Sequence, residues 1–179
     1  MGFFLVATAI VCYLIFKAFR KSHTKVNLKS KNILITGASS GLGKSLAENL
    51  CKNHNVNLFL CARSIEKLEE LKKELKAINP NNEVEVYYLD LCKTETIGDF
   101  VESLVQNHKI DTVINNAGVR FRGDILSTNY EVYKKVFETN FFGQVALTNG
   151  FVKYFVNSGI KGNIVNIGSV QVRYFFYIV

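Results

Sequence analysis

A glycine-rich turn between a strand-like and a helix-like segment constrains most strongly how this chain folds. The apolar run Ile33-Leu34-Ile35 leads into Thr36-Gly37-Ala38-Ser39-Ser40-Gly41-Leu42-Gly43, and a helix-like segment follows. This order favours an anion at the helix N-terminus, where unpaired backbone N–H groups and the helix dipole attract negative charge. The spacing predicts that Gly37 permits a tight turn, Gly41 lets a pyrophosphate approach the backbone, and Gly43 lets the helix pack against the strand. On this stretch alone, an ordinary strand–helix turn stays open as the alternative.

Strand-like and helix-like segments alternate along most of the chain, which predicts a parallel sheet covered by helices on both faces. The predicted strands are Lys31–Thr36, Val56–Ala62, Val84–Leu89, Ile110–Ile114 and Ile164–Ile167. The predicted helices are Lys44–Lys52, a helix capped by Ser64 and stopped at Asn79-Pro80, a helix around Ile97–Val105, and one long helix from about Glu131 to Asn157. Right-handed crossovers between such strands give an α/β doubly wound, Rossmann-type sheet.

Polar residues gather at the predicted carboxyl ends of the strands, where ligands bind in such a sheet. Beyond the glycine turn they are Arg63, Asp90, Asn115, Asn116 and Ser169. Arg63 suits the 2′-phosphate of NADP(H), because a guanidinium is a forked donor that matches phosphate; a solvated surface arginine is the alternative. Asp90 either accepts from an adenine amino group or caps the following turn. Asn116-Ala117-Gly118 either lets a cofactor lie against the backbone or is simply a turn.

Asn140 stands out within the long predicted helix. It shares a stripe at helical spacing with Val132, Val136, Gly143 and Leu147, so we expect its side chain to be buried. A buried amide needs hydrogen-bond partners, and a structural contact, a bound water or a catalytic relay would each supply them.

The basic charge of the chain lies in its N-terminal segment. Six of the 22 basic residues and none of the 15 acidic residues fall within positions 1–31. The whole chain has a net charge of +7, but residues 32–179 carry a net charge of only +1. A nearly neutral globular part argues against a nucleic-acid-binding function. The four cysteines and three histidines have no metal-ligand spacing, which favours free thiols and no metal site.

The first residues form an uncharged apolar run from Gly2 to Phe16, which Lys17, Ala18 and Phe19 extend. We expect a retained membrane anchor over residues 1–19, then a basic linker over 20–30. A cleaved signal or an interfacial hairpin is the alternative, but no charge precedes the run and a basic segment follows it. The positive flank predicts that the globular domain faces the cytosol.

The polar motifs follow one another in a distinctive order between residues 30 and 171. The order is Thr36-Gly37-x-x-x-Gly41-x-Gly43, Asp90, Asn115-Asn116-Ala117-Gly118, Asn140 and Ser169. In this combination the chain resembles the short-chain dehydrogenase/reductase family, and Cys61-Ala62-Arg63-Ser64 resembles the NADP-preferring members. The N-terminal anchor, the run from Tyr130 to Gly143 and Ser169-Val170-Gln171 resemble the membrane-anchored dehydrogenase/reductase member 7 group.

The resemblance implies a role for each matching position. The residues implied to hold the pyrophosphate and the nearby ribose are Gly37, Ser39, Ser40, Gly41, Leu42 and Gly43. Arg63 is implied to bind the 2′-phosphate. The residues implied to border the adenine, its ribose and the floor of the site are Asp90, Leu91, Asn116, Ala117 and Gly118. The implied catalytic residues are Asn140, which would order a proton-relay water, and Ser169, which would hydrogen-bond the substrate oxygen.

The sequence departs from the family pattern after Ser169. The family uses a tyrosine as general acid/base, expected about 13 residues after the serine, with a lysine four residues later that lowers its pKa. Tyr174 and Tyr177 are too close to Ser169, and Ile178 stands where the lysine after Tyr174 is expected. We therefore expect a partial Rossmann domain over residues 31–171, incomplete at its C-terminus, then an aberrant tail over 172–179. Such a fragment is expected to be inactive by itself.

The expected function is that of an NADP(H)-dependent oxidoreductase acting on a carbonyl or alcohol of lipid or steroid-like type, with NADP(H) preferred over NAD(H). The alternative is a non-catalytic, membrane-anchored nucleotide-binding or interaction protein. The expected location is the endoplasmic reticulum membrane, crossed once, and the resemblance leaves a homodimer open.

Overall fold

The computed structural model describes Leu28, residues 31–124 and residues 126–169. The predicted anchor over residues 1–19 and the predicted tail over 172–179 lie outside these residues, as does the predicted linker apart from Leu28. Within the described part of the chain, no helix is long and apolar enough to cross a membrane.

Strands and helices alternate as the sequence predicts. The strands are β1 (Lys31–Thr36), β2 (Val56–Ala62), β3 (Val84–Tyr88), β4 (Thr112–Asn115) and β5 (Asn163–Asn166). The helices are α1 (Gly41–Asn53), α2 (Ile65–Ile78), α3 (Thr94–Asn107), α4 (Tyr130–Phe137) and α5 (Gly143–Asn157), with a π-helical turn (Glu138–Phe142) between the last two. The bounds of β1 and β2 are those predicted, whereas β4 starts and ends later than expected and β5 one residue earlier.

All five strands are parallel, in the order β3-β2-β1-β4-β5. From β1 the chain builds one side of the sheet through β2 and β3, then crosses back to add β4 and β5 on the other side. The crevice at such a reversal, outside the strand carboxyl ends, is where doubly wound folds bind ligands. The predicted parallel, doubly wound sheet is confirmed, and it places the ends of β1 and β4 side by side.

The sheet separates two apolar layers, and alternate residues of each strand enter opposite layers. Ile33 and Ile35 of β1 pack with residues of α1 and α2, whereas Leu34 packs with residues of α3 and α5. All three side chains are at most 1% exposed. Burial on both faces explains why β1 reads as a continuous apolar run and why its bounds are clear in the sequence.

The long predicted helix is instead interrupted by the π-helical turn. The backbone N–H of Gly143 donates to the carbonyl of Glu138, an i to i−5 bond that adds one residue to the turn. The extra residue changes which side chain faces inward: Thr139 is buried, whereas Asn140 is exposed. The prediction that Asn140 is buried was therefore wrong, because it assumed an unbroken helical period.

Candidate functional site

A cleft of about 360 Å³ opens at the carboxyl ends of the first four strands. Every residue predicted to bind a cofactor lines this cleft, except Gly43. Those residues are Gly37, Ser39, Ser40, Gly41, Leu42, Arg63, Asp90, Leu91, Asn116, Ala117 and Gly118. The topology thus brings together side chains from four separate loops, as the strand-end pattern predicted.

The glycine turn forms one wall of the cleft, and the structural reason for a glycine differs among its three glycine positions. Gly37 has φ +66°, and a Cβ on it would lie 2.7 Å from the Cα of Ala117. Gly43 is buried beneath the turn, where a Cβ would lie 2.4 Å from the carbonyl oxygen of Gly37. Gly41 also has a positive φ (+54°), but a Cβ there would meet no atom within 4 Å. Gly37 and Gly43 therefore hold the turn against its neighbours, while Gly41 faces open space at the start of α1.

The N-terminus of α1 is electrostatically suited to an anion. Ser40 is its N-cap residue, yet the Ser40 side chain makes no capping hydrogen bond, and no acidic residue lies in the first turn. Lys44 follows one turn later and pairs with Glu74 of α2, with Nζ and Oε2 2.8 Å apart. The hydrogen bond that Lys44 donates to Glu74 raises the pKa of Lys44, so the lysine is charged at neutral pH but is already paired. The field that favours an anion here comes from the helix end itself.

Thr36 joins the ends of β1 and β4. Its Oγ1 accepts from the backbone N–H groups of Asn116 and Ala117, both at 3.0 Å, and donates to the carbonyl of Ile114 at 3.3 Å. In return, Nδ2 of Asn116 donates to the carbonyl of Thr36 at 2.9 Å. The side-chain amide of Asn116 therefore holds the glycine turn to the loop after β4, and Asn116 contributes to the cleft from that fixed position.

Arg63 is exposed where β2 ends, at the mouth of the cleft. Cys61 and Ala62 precede it and are buried, and burial raises the pKa of the Cys61 thiol, which is therefore neutral. None of the ion pairs found among the described residues involves Arg63. Ser64 is the N-cap residue of α2 as expected, but its side chain makes no capping hydrogen bond. At the mouth of the cleft, Arg63 is thus outside the ion pairs found among the described residues, and the Ser64 side chain makes no helix-capping hydrogen bond.

Asp90 caps the turn that follows β3. Its Oδ1 accepts from the backbone N–H of Cys92 at 3.1 Å, and its carbonyl accepts from Lys93 at 3.0 Å. Of the two roles that the sequence left open, turn capping is therefore present in the structure. The carboxylate also lines the cleft, so contact with an adenine stays a prediction.

Asn140 and Ser169, the two predicted catalytic residues, do not line the cleft. The Asn140 amide clamps one residue of the cleft wall: Oδ1 accepts from the backbone N–H of Val119, and Nδ2 donates to its carbonyl, both at 2.8 Å. Ser169 is exposed in the segment after β5. Asn140 therefore acts on the cleft through Val119, and its role in ordering a water stays a prediction.

Sequence reasoning missed several residues of the site. Thr36, Thr139 and Val119 all line the cleft, but none carried a chemical signal that set it apart. Thr36 was detectable in principle, because it stands directly before the first glycine of the turn. Thr139 was not, because its burial depends on the π-helical turn. No group of metal-ligating side chains occurs within residues 31–124 and 126–169.

Comparison with known proteins shows which family the chain matches. The family model for short chain dehydrogenase matches residues 31–177. A Drosophila melanogaster protein named dehydrogenase/reductase SDR family protein 7-like is 37% identical over 172 residues, which cover 94% of this chain and 52% of that protein. The Danio rerio dehydrogenase/reductase SDR family member 7B is 35% identical over 176 residues, covering 93% of this chain and 55% of that protein. The chain thus spans about half the length of the curated relatives it matches.

Solved structures give the same result. A variant of actinorhodin polyketide ketoreductase with NADPH superposes with a TM-score of 0.72 at 31% identity, over 81% of this chain and 55% of that one. A short-chain dehydrogenase from Sphingobium yanoikuyae in complex with NADPH gives 0.69 at 33% identity, over 78% of this chain and 54% of that one. A metagenomic short-chain oxidoreductase in complex with NADP gives 0.72 at 28% identity, over 80% and 64% respectively.

Proposed function

The chain belongs to the short-chain dehydrogenase family, in the dehydrogenase/reductase member 7 group, and we propose that it binds NADP(H) for an oxidoreductase reaction on a carbonyl or alcohol substrate. The cleft at the carboxyl ends of four strands carries this proposal, because it joins a glycine turn, a helix N-terminus and an arginine at the edge. NADP(H) supplies the hydride or accepts it when bound, and the protein residues bind and orient the dinucleotide.

The residues of the cleft fit four parts of such a dinucleotide: the pyrophosphate, the 2′-phosphate, the adenine and the adenosine ribose. The N-terminus of α1 and the turn from Gly37 to Leu42 suit the pyrophosphate, which the helix end attracts. Arg63 suits a 2′-phosphate for two reasons. Its guanidinium has no ion-pair partner among the described residues, and the forked donors of a guanidinium match the oxygens of a phosphate. Asp90 and Leu91 suit the adenine, and the segment from Asn116 to Gly118 suits the adenosine ribose.

We propose positioning and substrate roles for the two predicted catalytic residues. The Asn140 clamp on Val119 supports a role in shaping the cleft wall beside the reacting end of the dinucleotide. Ser169 follows β5, which pairs with β4, so it belongs to the same strand-end region and is proposed to hydrogen-bond the substrate oxygen. The family's tyrosine, which would move the proton, is not among the described residues.

A non-catalytic, membrane-anchored nucleotide-binding protein is the less favoured alternative. It predicts the same cleft, but the curated relatives are named as dehydrogenase/reductase proteins and several solved neighbours hold NADP or NADPH. We propose a lipid or steroid-like carbonyl or alcohol as the substrate class. The motivation is the predicted membrane anchor at the N-terminus.

We also propose that residues 1–19 anchor the protein in the endoplasmic reticulum membrane with the Rossmann domain in the cytosol. The apolar run and its basic flank support this proposal. The full chain should stay in the membrane pellet after alkaline carbonate extraction. The triple variant Leu5→Lys, Val11→Lys, Leu14→Lys should be released. Release of the unaltered chain would overturn the anchor.

Direct binding tests the proposed cofactor. The full chain, titrated with NADPH and followed by the change in nicotinamide fluorescence, should bind NADPH at least about tenfold more tightly than NADH, as a charge-assisted contact to the 2′-phosphate requires. The fragment 2′,5′-ADP should compete with NADPH, because it carries the adenosine with its 2′- and 5′-phosphates and lacks only the nicotinamide half. Absence of binding by all three would overturn the proposed function.

A further inference from the structure

The π-helical turn contacts two of the loops that line the cleft, through two neighbouring residues. Asn140 clamps Val119 in the loop after β4. Thr139 faces the loop after β3 instead, with its Oγ1 3.0 Å from the Sγ of Cys92. Thr139 is only 8% exposed and itself lines the cleft, while its hydroxyl contacts the thiol.

The start of α5 fits closely against the same loop. Gly143 lies at the N-terminus of α5, and a Cβ on it would be 2.2 Å from the carbonyl oxygen of Leu91. Leu91 lies between Asp90 and Cys92, and both Asp90 and Leu91 line the cleft. The loop after β3 therefore rests on the π-helical turn and on the first residue of α5.

Cys92 connects this support to the cleft. Its backbone N–H donates to Oδ1 of Asp90 at 3.1 Å, while its side chain meets Thr139. Cys92 is only partly buried and does not itself line the cleft. Cys92 therefore reaches a ligand only through its neighbours that line the cleft, which are Asp90, Leu91 and Thr139.

We propose that the Thr139–Cys92 hydrogen bond is a positioning contact that fixes the adenine end of the cleft. Thr139 holds Cys92, and the backbone N–H of Cys92 holds the Asp90 carboxylate at the place where the adenine is proposed to bind. The proposal rests on the proposed function for its ligand, but the contact itself does not depend on that function. It assigns to Thr139 and Cys92 a role in dinucleotide affinity that neither residue type indicates.

Two variants of Thr139 separate the hydroxyl from the shape of the side chain. Thr139→Val removes the hydroxyl and keeps the branched shape, whereas Thr139→Ser keeps the hydroxyl and serves as the matched control. We expect Thr139→Val to bind both NADPH and 2′,5′-ADP about threefold to tenfold more weakly, as for one lost hydrogen bond, and Thr139→Ser to stay within about twofold of the wild type. An equal loss for 2′,5′-ADP places the effect in the adenosine half of the cleft, because this fragment has no nicotinamide half.

A double-mutant cycle tests whether Thr139 acts through Cys92. Cys92→Ala alone should weaken 2′,5′-ADP binding, and adding Thr139→Val should weaken it by less than the two single effects combined, since both remove the same contact. Fully additive losses would overturn the proposal, as would unchanged 2′,5′-ADP affinity in Thr139→Val. Urea unfolding of each variant shows whether the native fold persists, because a merely structural role would lower stability without changing affinity in the native state.

The reactivity of Cys92 provides a readout that needs no dinucleotide. Alkylation by iodoacetamide, quantified at the Cys92 peptide by mass spectrometry, should be several-fold faster in Thr139→Val than in the wild type and unchanged in Thr139→Ser. Cys51 and Cys61 are 0% exposed and serve as internal controls for unfolding. Faster alkylation together with no dinucleotide binding by the wild type would support the contact and overturn the proposed function, whereas an unchanged alkylation rate in Thr139→Val would overturn the contact.

Discussion

Gly43→Ala is expected to abolish NADPH binding and to lower the free energy of unfolding by about 1–3 kcal/mol, the cost of forcing a methyl group into a close-packed site. The new Cβ would lie 2.4 Å from the carbonyl oxygen of Gly37 and 2.5 Å from Nδ2 of Asn116. Both atoms are held in place, the first in the backbone of the turn and the second by its bond to Thr36. Relief of the clash must therefore move α1 away from the glycine turn, which displaces the helix N-terminus from the place where the pyrophosphate is proposed to bind.

The chain offers a matched control for this change. Gly98 lies in α3, away from the cleft, and a Cβ on it would meet no atom within 4 Å. Gly98→Ala should raise the free energy of unfolding by about 0.5–1 kcal/mol, because alanine is the better helix former, and should leave NADPH affinity unchanged. Urea unfolding and fluorescence titration measure both effects. A Gly43→Ala protein that binds NADPH like the wild type would show that the turn and α1 need not approach as closely as the structure shows.

The strands were predictable because their signals are local. β1 and β2 are buried on both faces, so each reads as an unbroken apolar run with a clear end. β4 was placed less well, because it begins at Thr112, two residues after the predicted start at Ile110. The Asp111 backbone already bonds Asn32 and Asn163, and its carboxylate accepts from the backbone N–H of Asn32 at 3.0 Å and pairs with Lys31 at 3.1 Å, so Asp111 fastens the start of β4 to the start of β1.

The site was predictable as a set of strand ends but not as a set of contacts. Arg63, Asp90 and Asn116 were found because parallel strands bring their carboxyl ends to one edge, a consequence of topology alone. Which way each side chain turns depends on neighbours far away in the sequence. The amide of Asn116 turns to Thr36, 80 positions earlier, and Cys92 meets Thr139, 47 positions later. No periodicity in the sequence carries that information.

The error at Asn140 has a single physical cause. A period of 3.6 residues places Asn140 with Val136 and Gly143, but the buried positions run from Thr139 through Gly143, Leu147, Phe151 and Phe155. One i to i−5 bond is enough to change the phase of everything before it. The consequence for function is large, because the π-helical turn directs Thr139 and Asn140 toward two different walls of the cleft.

The choice between NADPH and NADH is expected to depend on Arg63. Arg63→Ala should weaken NADPH binding by about tenfold to hundredfold and leave NADH affinity within about twofold, since the 2′-phosphate is the only group that distinguishes the two dinucleotides. Arg63→Lys should fall between, because an ammonium keeps the charge but loses the forked pair of donors. The preference of the wild type should also fall as salt is raised, because Arg63 is exposed and its attraction for phosphate is screened.

Arg120→Ala is the matched control for this prediction. Arg120 is an exposed arginine in the loop after β4, one residue beyond Val119, and it does not line the cleft. If the loss in Arg63→Ala came from a general change in surface charge, Arg120→Ala would reproduce it, and if it came from damage to the cleft, NADH affinity would fall in parallel. Only a loss confined to Arg63 and to NADPH identifies a 2′-phosphate contact. An Arg63→Ala protein that still prefers NADPH would place the 2′-phosphate elsewhere, with Ser64 at the start of α2 the next residue to test.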